Sequence, residues 1–359
     1  MKYVDVIVPL PLEGSFTYAV PENLRDRVRF GVRVAVTFGT SKVHTAIVVH
    51  VHDNVPDFKV KAIIDVIAGK PMLLTQQYQL WKWLSAYYMA PLGDVYNAAL
   101  PAGLKVEENY KPRMETYINL SPPYRSEQAL NVAFDLLKRA QNQQEVLTHF
   151  LRISHWETLQ GTVTSEPVVD ITREELMNVA RCSYAVIKRL VERKILFTYE
   201  REVGRIGDAG EEHVENIKRL NQAQQDAYNQ IVFQFLKKNV VLLHGVTSSG
   251  KTEIYIHLIK KALDEKKQVL YLLPEIALTV QITSRLRHVF GNKLGIYHSK
   301  YSDAERVEIW KKQLSSHPYE VILGARSAVF LPFQQLGLVI IDEEHETSFK
   351  QQDPSPRYH

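Results

Sequence analysis

A complete phosphate-binding loop lies in the second half of the sequence. It matches the pattern G-x-x-x-x-G-K-[ST] through Gly245, Val246, Thr247, Ser248, Ser249, Gly250, Lys251 and Thr252. An apolar run at 240–243 precedes the loop, and a helix-like stretch at 253–263 follows it. We therefore expect a strand that leads into the loop and a helix that begins after it. The backbone N–H groups of the loop and the helix N-terminus would then bind a polyphosphate. Lys251 would reach the β- and γ-phosphates, and Thr252 would hold Mg²⁺. The loop predicts binding of a nucleoside triphosphate.

A pair of acids provides the second half of this chemistry. Asp342 and Glu343 follow an apolar run at 336–341, and Asp342 lies 91 residues after Lys251 (342 − 251). The run predicts a strand buried on both faces of a parallel sheet, whose carboxyl end is where such sheets bind ligands. Asp342 would hold Mg²⁺ from its second sphere, and Glu343 would orient and deprotonate the attacking water. With the phosphate loop, the pair predicts hydrolysis of the triphosphate.

Composition sets the broad class of protein. The chain has 44 Lys and Arg against 40 Asp and Glu, and this net charge of +4 is compatible with nucleic acid without arguing for it alone. A single cysteine, Cys182, excludes an internal disulfide and a multi-cysteine zinc site within these residues. Because the sequence has neither an apolar run long enough for a membrane span nor a signal-peptide core at Met1, we expect a cytoplasmic protein with no membrane partner.

The hydrophobic periodicity changes twice and predicts a multidomain α/β protein. The first domain, 1–105, begins with short β-branched and aromatic runs separated by turn residues, which predict a small closed or half-open barrel. These runs lie at 4–8, 16–20, 32–38, 45–51 and 60–67. A helix over 75–89 would cover the barrel, its aromatic residues serving as core or, less favoured, as a base-stacking platform. Since these elements form an apolar set, we expect 1–105 to fold alone.

The second domain, 106–204, has the element order of a winged helix. Residues 102–124 have the composition of a charged linker, and 126–150 regain helical periodicity. Thr172 with Glu175 predicts a helix start, Ser183 predicts a second one, and a strand-like run at 195–203 follows. Four cations crowd the second helix, where such folds contact DNA: Lys188, Arg189, Arg193 and Lys194. Many winged helices only dock other proteins, so both alternatives stay open.

The third domain, 205–359, alternates helices with buried strands. The predicted strands lie at 240–243, 268–273, 294–297, 321–323 and 338–341, which indicates the first lobe of a RecA-like doubly wound sheet. Arg326 and Ser327 follow one strand and could contact a phosphodiester backbone. Upstream, Gln224 offers an amide that could bind the adenine edge.

In this order, the motifs resemble those of superfamily 2 helicases, and more closely those of the PriA family (primosomal protein N prime) of bacterial replication-restart helicases. The resemblance covers essentially the entire chain and rests on the Gln224 segment, GVTSSGKT, LLPEIALTVQ, GARSAVFLPF and DEEHE. It implies an ATP-dependent 3′-to-5′ DNA helicase that recognises stalled or abandoned replication forks and initiates primosome assembly. Its cofactors would be ATP and Mg²⁺.

The resemblance also implies that the first domain binds the 3′ end of a nascent strand. The matching positions are Phe16, Thr17, Tyr18, Gly39 and Lys61. Phe16 could stack on the last base, and Lys61 could meet a phosphate. The family often has an acid where this chain has Thr17, which leaves open whether this side chain binds the terminal 3′-hydroxyl.

The family's further properties set expectations for partners and activity. Expected partners are forked and single-stranded DNA, other primosome proteins and single-stranded DNA-binding protein, at the bacterial nucleoid. The segment containing Tyr358 resembles an aromatic-rich loop that couples DNA contact to the acid pair. In the family a zinc-binding cysteine cluster and a second RecA-like lobe follow, and both are absent from these 359 residues. Because an arginine of the second lobe supports hydrolysis, we expect binding of ATP and DNA with slow or undetectable hydrolysis and no unwinding.

Two other functions fit the same residues. A fork-remodelling or repair translocase of the same superfamily would differ mainly in the first domain, and a competition between 3′-hydroxyl and 3′-phosphate ends would separate it from a restart helicase. A DNA-end-binding module without motor activity would be excluded by detectable unwinding.

Overall fold

The computed structural model describes residues 2–39, 42–105, 113–156, 169–203, 216–246, 249–274, 280–298 and 301–350. The chain divides into two compact units. One unit combines Met1–Lys111 with Arg205–His359, and the other is Pro112–Gly204. The second unit is therefore an insertion between two segments that pack together.

The first domain is a five-stranded antiparallel sheet that curls into a half-open barrel, as predicted. The strands lie in the order β2-β1-β4-β3-β5. Ala19 in the edge strand β2 donates to the carbonyl of Lys61 at 2.9 Å and accepts from the amide of Ile63 at 3.0 Å, so the segment before β5 approaches the opposite edge. The strand bounds are β1 Lys2–Ile7, β2 Phe16–Val20, β3 Arg33–Phe38, β4 Lys42–His52 and β5 Asp65–Ala68.

Three helices follow the barrel: α1 Thr75–Tyr88, α2 Leu92–Ala99 and α3 Ala102–Lys105. The aromatic residues of α1 divide between two environments. Trp81 is fully buried, as expected of core, whereas Trp83 and Tyr87 are exposed and stack on each other with ring centroids 4.8 Å apart. The sequence pattern favoured the core and did not separate these two groups.

The helices of the first domain share one apolar core with the helicase lobe. Trp81 belongs to the same buried cluster as Trp310 and Phe330. Trp310 Nε1 donates to the carbonyl of Met72 at 2.9 Å, and Gln77 Nε2 donates to the carbonyl of Phe330 at 2.6 Å. The apolar set of residues 1–105 is therefore not self-contained, because part of it packs against residues more than 200 positions further along. That premise of the sequence analysis was wrong.

The inserted unit has the winged-helix order. Its elements are β6 Arg113–Leu120, α4 Glu127–Leu136, α5 Gln141–Ile153, β7 Ile171–Thr172, α6 Arg173–Ala180, α7 Tyr184–Glu192 and β8 Leu196–Val203. The Thr172 hydroxyl accepts from the amide of Glu175 at 3.1 Å, which confirms the predicted start of α6. Ser183 precedes α7 as predicted, although its side chain makes no capping hydrogen bond.

Strand β6 lies in the stretch that the sequence analysis had interpreted as linker. It pairs along its whole length with β8, from Arg113 opposite Val203 to Leu120 opposite Leu196. Ile118 and Leu120 are buried in the core of the unit. The linker prediction was wrong for residues 113–120, because the partner strand lies far downstream and local composition does not reveal it.

The helicase lobe contains a parallel sheet flanked by helices, as predicted for a RecA-like fold. Its strands lie in the order β10-β11-β9-β12. The elements are α8 Gln222–Phe235, α9 Lys251–Asp264, β9 Gln268–Leu272, α10 Val280–Phe290, β10 Leu294–Tyr297, α11 Asp303–Gln313, β11 Val321–Gly324 and β12 Leu336–Ile341. None of the helices in the described ranges is long and apolar enough to cross a membrane.

Two strand predictions in this lobe need correction. The run at 240–243 is not a strand, and Val240 and Leu242 are 83% and 72% exposed. Strand β12 forms, but within the described residues it pairs only with β9, and Val339 and Ile341 are 45% and 51% exposed. Apolar composition indicated burial on both faces in each case. An apolar run becomes a buried strand only where a neighbouring strand pairs with it, and periodicity does not show that partner.

Candidate nucleotide and DNA-binding sites

The phosphate loop leads directly into α9, which begins at Lys251. Gly250 has φ +82°, and a Cβ there would come within 2.2 Å of Gln224 Nε2, so the position requires glycine. Lys251 Nζ donates to the carbonyl of Gly245 at 2.9 Å, which holds the ammonium group over the loop. Thr252 follows in the first turn of the helix. Of the predicted loop residues, Thr247 and Ser248 lie outside the described residues.

The acid pair lies at the carboxyl end of β12, beside β9. The amide of Asp342 donates to the carbonyl of Leu272 at 3.0 Å, which extends the ladder by one bond. Asp342 Oδ1 accepts from the amide of Glu343 at 3.1 Å, and Oδ2 accepts from the hydroxyl of Tyr271 at 2.9 Å. Glu343 has φ 55°, a left-handed conformation that turns the chain sharply away from the strand. The structure thus fixes Asp342 tightly and leaves Glu343 exposed.

Tyr271 is a site residue that the sequence analysis missed. Its ring is buried, and burial together with the charge of Asp342 raises the pKa of its phenol far above the usual value. The phenol therefore stays protonated and can only donate to the carboxylate at neutral pH. Tyrosine in the middle of a predicted strand gave no sign of this role. Only the register between β9 and β12 reveals this role of Tyr271. It places Tyr271 opposite Ile340, two residues before Asp342.

Gln224 contacts the phosphate loop from the start of α8. Its Oε1 accepts from the amide of Asn221 at 3.0 Å, in a capping box that begins the helix. Its Nε2 faces the carbonyl of Gly250 at 3.5 Å. The predicted residue therefore lies beside the loop, and its binding of an adenine edge stays a prediction.

An ion pair outside the predicted set braces the same edge of the lobe. Arg285 on α10 donates from Nη2 to both carboxylate oxygens of Glu253, at 3.0 and 3.1 Å. Glu253 lies in the first turn of α9, directly after Lys251 and Thr252. The pair ties α10 to the helix that presents the phosphate loop.

Arg326 and Ser327 lie in a short 3-10 helix that follows β11. Both are half-buried. The amide of Ala325, just before them, donates to the carbonyl of Tyr297 at the end of β10 at 3.2 Å. The two residues thus lie at the carboxyl edge of the sheet, as the acid pair does. Their contact with DNA stays a prediction, and the predicted Tyr358 lies outside the described residues, as do residues 275–279.

The first domain contains a cavity of about 280 Å³ that brings all five predicted residues together. It is lined by Phe16, Thr17, Tyr18, Gly39 and Lys61, and also by Ser15, Thr37, Phe38, Phe58, Lys59 and Val60. The predicted residues come from β2, the end of β3 and the segment before β5. Their convergence depends on the curl of the sheet, which brings residues 58–61 against β2.

The wall of this cavity is both aromatic and basic. Phe16 meets Phe38 edge to face with ring centroids 5.0 Å apart. Phe58 is 65% exposed at the rim. Lys61 Nζ donates to the carbonyl of Gly39 at 2.5 Å, which holds an ammonium group at the same opening. Two half-buried rings, one exposed ring and a fixed cation suit a base and its phosphate. The sequence analysis missed Phe38 and Phe58, which belong to no motif.

The basic side chains of the winged helix are partly engaged with the protein itself. Lys188 Nζ lies 3.8 Å from a carboxylate oxygen of Glu192, and Arg193 donates to the carbonyl of Leu136 at 3.1 Å. Arg189 and Lys194 are exposed. This arrangement fits either DNA contact or protein docking, so the choice between them stays open.

Comparisons with known families agree with this division of the chain. Residues 5–101 match a family model described as the 3′ DNA-binding domain of PriA. Residues 115–203 match the winged helix domain of PriA helicase from Bacteroidota. Residues 221–358 match the DEAD/DEAH box helicases. The fold and the phosphate loop with its acid pair thus define a helicase domain joined to a 3′ DNA-binding domain and a winged-helix domain.

Curated relatives give the family. The chain is 34% identical to replication restart protein PriA of Haemophilus influenzae over 100% of this chain and 46% of that protein. It is 31% identical to the protein of that name from Synechocystis over 99% of this chain and 49% of the relative. The protein of Bacillus subtilis is 29% identical over 100% of this chain and 51% of its own length. The chain belongs to the PriA family of replication restart proteins and spans about half the length of these relatives.

Proposed function

We propose that this chain binds ATP with Mg²⁺ and the 3′ end of a DNA strand, as part of an ATP-dependent 3′-to-5′ DNA helicase. That helicase would recognise stalled or abandoned replication forks in the bacterial cytoplasm and initiate primosome assembly. Other primosome proteins and single-stranded DNA-binding protein would be its partners. The observation that carries the proposal is the single cavity in which Phe16, Thr17, Tyr18, Gly39 and Lys61 converge.

The residues of the helicase lobe fit a nucleoside triphosphate with Mg²⁺. Gly250, with its positive φ, turns the chain from the phosphate loop into α9. The positive end of the α9 dipole therefore points at the space where the phosphates would bind. Lys251 supplies a cation for the phosphates, and Thr252 and Asp342 supply oxygen atoms suited to Mg²⁺. When bound, Mg²⁺ would withdraw charge from the phosphate oxygens. Glu343 would hold the attacking water and accept its proton.

The shared core gives a physical basis for coupling the two sites. Helix α1 follows the barrel and donates from Gln77 to the carbonyl of Phe330, which ends the 3-10 helix begun by Arg326. A DNA end held in the first domain would therefore lie in the same compact unit as the ATP site. In this proposal the first domain selects a fork, and the helicase lobe acts on the DNA.

Binding to matched forks tests this proposal. Two forks would have the same sequence and arms, one with a nascent strand whose 3′ end reaches the branch and one with that strand shortened to leave a gap. We expect tighter binding to the first fork, measured by fluorescence anisotropy with the whole chain. We also expect this preference to disappear in Phe16→Ala. Equal affinity for the two forks would contradict 3′-end recognition and favour a translocase that reads only the branch.

A further inference from the structure

Asp5, His50 and His52 form a cluster on the first-domain sheet that has no role in the sites described above. Asp5 of β1 lies opposite His50 of β4, and His52 follows two residues later on the same face of the strand. Val4 and Val6, the neighbours of Asp5 in β1, are buried in the barrel core on the other face. The three polar side chains therefore lie on the outer face of the barrel.

A β-bulge in β4 determines that the two histidines share this face with the carboxylate. The register between β1 and β4 shifts between Asp5 and Val6, and Val49 is the extra residue. Ile47 also lies on the outer face, in the core shared with the helices. Because side chains alternate along a strand, His50 would point into the barrel if the bulge were absent. The bulge thus brings two imidazole rings beside one carboxylate on paired strands.

The distances within the cluster are those of ligands that share one metal ion. His50 Nδ1 lies 3.3 Å from Asp5 Oδ2, and His52 Nε2 lies 3.5 Å from Asp5 Oδ1. Ligand atoms that lie about 2.0–2.2 Å from a tetrahedral Zn²⁺ are separated from one another by about 3.3–3.6 Å. The three ligand atoms all lie within 4.8 Å of one another, and rotation of the exposed His50 can close the remaining edge.

The residues around the cluster support two of its ligands. The hydroxyl of Thr17 donates to Asp5 Oδ1 at 2.7 Å, as is usual for a carboxylate that binds a metal. Tyr3 stacks on the ring of His52 with centroids 6.0 Å apart. In the part of the chain that the structure describes, Nδ1 of His52 is buried without a hydrogen-bond partner. Because a metal-bound histidine usually donates from its second nitrogen, we expect an affinity about 10–100-fold below that of a site whose ligands are all hydrogen-bonded.

We propose that Asp5, His50 and His52 bind a divalent transition-metal ion, Zn²⁺ above all, which ties β1 to β4 on the outer face of the first domain. Imidazole and carboxylate ligands suit Zn²⁺, Ni²⁺ and Co²⁺, whereas Mg²⁺ and Ca²⁺ prefer oxygen ligands alone. Three protein ligands leave the fourth position of a tetrahedral ion to water. The cavity residues Phe16 and Tyr18 lie on the opposite face, so the inference is independent of the proposed DNA binding.

Titration of the whole chain with Co²⁺, in the presence of excess Mg²⁺, tests this site. Mg²⁺ occupies oxygen ligands such as those of the nucleotide site and leaves the imidazoles to Co²⁺. We expect a single tightly bound Co²⁺ with the strong visible absorption of a four-coordinate ion, and Zn²⁺ should displace it because Zn²⁺ binds such ligands more tightly. Zn²⁺ should also raise the Tm of the chain, since an ion that binds only the folded state stabilises that state.

Variants assign the bound ion to the cluster. Asp5→Ala and His50→Ala should each weaken Co²⁺ binding more than about 100-fold, because each loses a ligand rather than a residue that orients one. Thr17→Val keeps all three ligands and should weaken binding only about tenfold. His44→Ala is the matched control and should bind as the wild type does, because His44 lies on the same strand on the barrel side.

Two results would overturn the inference. One is equal affinity for Co²⁺ in the wild type and His50→Ala, and the other is a wild-type complex without the absorption of a four-coordinate ion. Either result would make the cluster one that hydrogen bonds alone hold together. The exposed His50→Ala keeps the test available if Asp5→Ala fails to fold. Since these titrations contain neither DNA nor nucleotide, their failure would leave the proposed function untouched.

Discussion

The hydroxyl of Tyr271 donates to Oδ2 of Asp342 at 2.9 Å, across the pair of strands β9 and β12. Asp342 is the acid proposed to hold Mg²⁺, and Tyr271 contacts it from inside the sheet. The bond fixes the orientation of the carboxylate, while the second oxygen accepts from the amide of Glu343. The two contacts leave the carboxylate little freedom to rotate.

Tyr271→Phe removes this donor while keeping the buried ring. We expect Mg²⁺-dependent affinity for ATP to fall by about 0.5–1.5 kcal/mol, the net worth of one hydrogen bond, because the carboxylate is then less well oriented. A Mg²⁺ titration of fluorescent nucleotide binding measures this. Tyr228→Phe, on α8, serves as the matched control and should have no effect. Nucleotide binding in Tyr271→Phe with an unchanged Mg²⁺ midpoint would show that Tyr271 serves only the core.

Lys251→Ala should remove binding of ATP, because the loop then lacks its only cation for the β- and γ-phosphates. Glu343→Gln should leave binding intact, because it keeps the shape of the site and the cation of the loop and removes only the base. Calorimetric titration with ATP and Mg²⁺ distinguishes the two variants. Lys260→Ala, an exposed lysine on the same helix, is the control. Tight ATP binding by Lys251→Ala would place the nucleotide elsewhere.

Phe16→Ala should weaken binding of single-stranded DNA with a free 3′ end by about 1–3 kcal/mol, the usual worth of one stacked base. Binding to internal sites of a long strand should change less, because the cavity holds the terminal base. Anisotropy with end-labelled strands measures the difference. Phe235→Ala, an exposed ring on α8, should bind as the wild type does. A similar loss in both variants would show that Phe16 does not stack on the DNA.

Lys61→Ala should make binding less sensitive to salt. Each phosphate contact on a single strand releases counterions and contributes about 0.7 to the slope of log affinity against log salt concentration. We therefore expect the slope to fall by about this amount, measured from affinities at several salt concentrations. Lys70→Ala changes the net charge equally at an exposed site outside the cavity lining and should leave the slope nearly intact. Equal slopes for wild type and Lys61→Ala would exclude a phosphate contact.

The sequence predicted those helices and strands whose boundaries are determined by residues close to them in the chain. Helix α6 starts directly after Thr172, whose hydroxyl caps it, and α9 starts directly after Gly250, the last glycine of the phosphate loop. Both starts depend on residues within four positions of each other, a hydroxyl cap for α6 and a glycine turn for α9, which capping rules and motif patterns describe well. The half-open barrel was also predictable, because its strands are short and separated by turn residues.

Long-range pairing accounts for the features that sequence analysis did not predict. Strand β6 forms because β8 pairs with it, and the run at 240–243 forms no strand although its composition is that of one. Tyr271 reaches Asp342 through the register of two strands. The contact of Gln77 with Phe330 joins two domains that looked separate in the sequence. No local pattern contains this information.

The binding of a linear strand with a 3′-hydroxyl, compared with a covalently closed circle of the same sequence, tests the central claim most directly. The claim is that the cavity around Phe16 and Lys61 holds a strand terminus. With the whole chain in a competition measured by anisotropy, we expect the linear strand to displace a labelled 3′-ended probe at clearly lower concentration than the circle does. Equal displacement by the two strands would contradict the claim and make the first domain a general DNA-binding barrel.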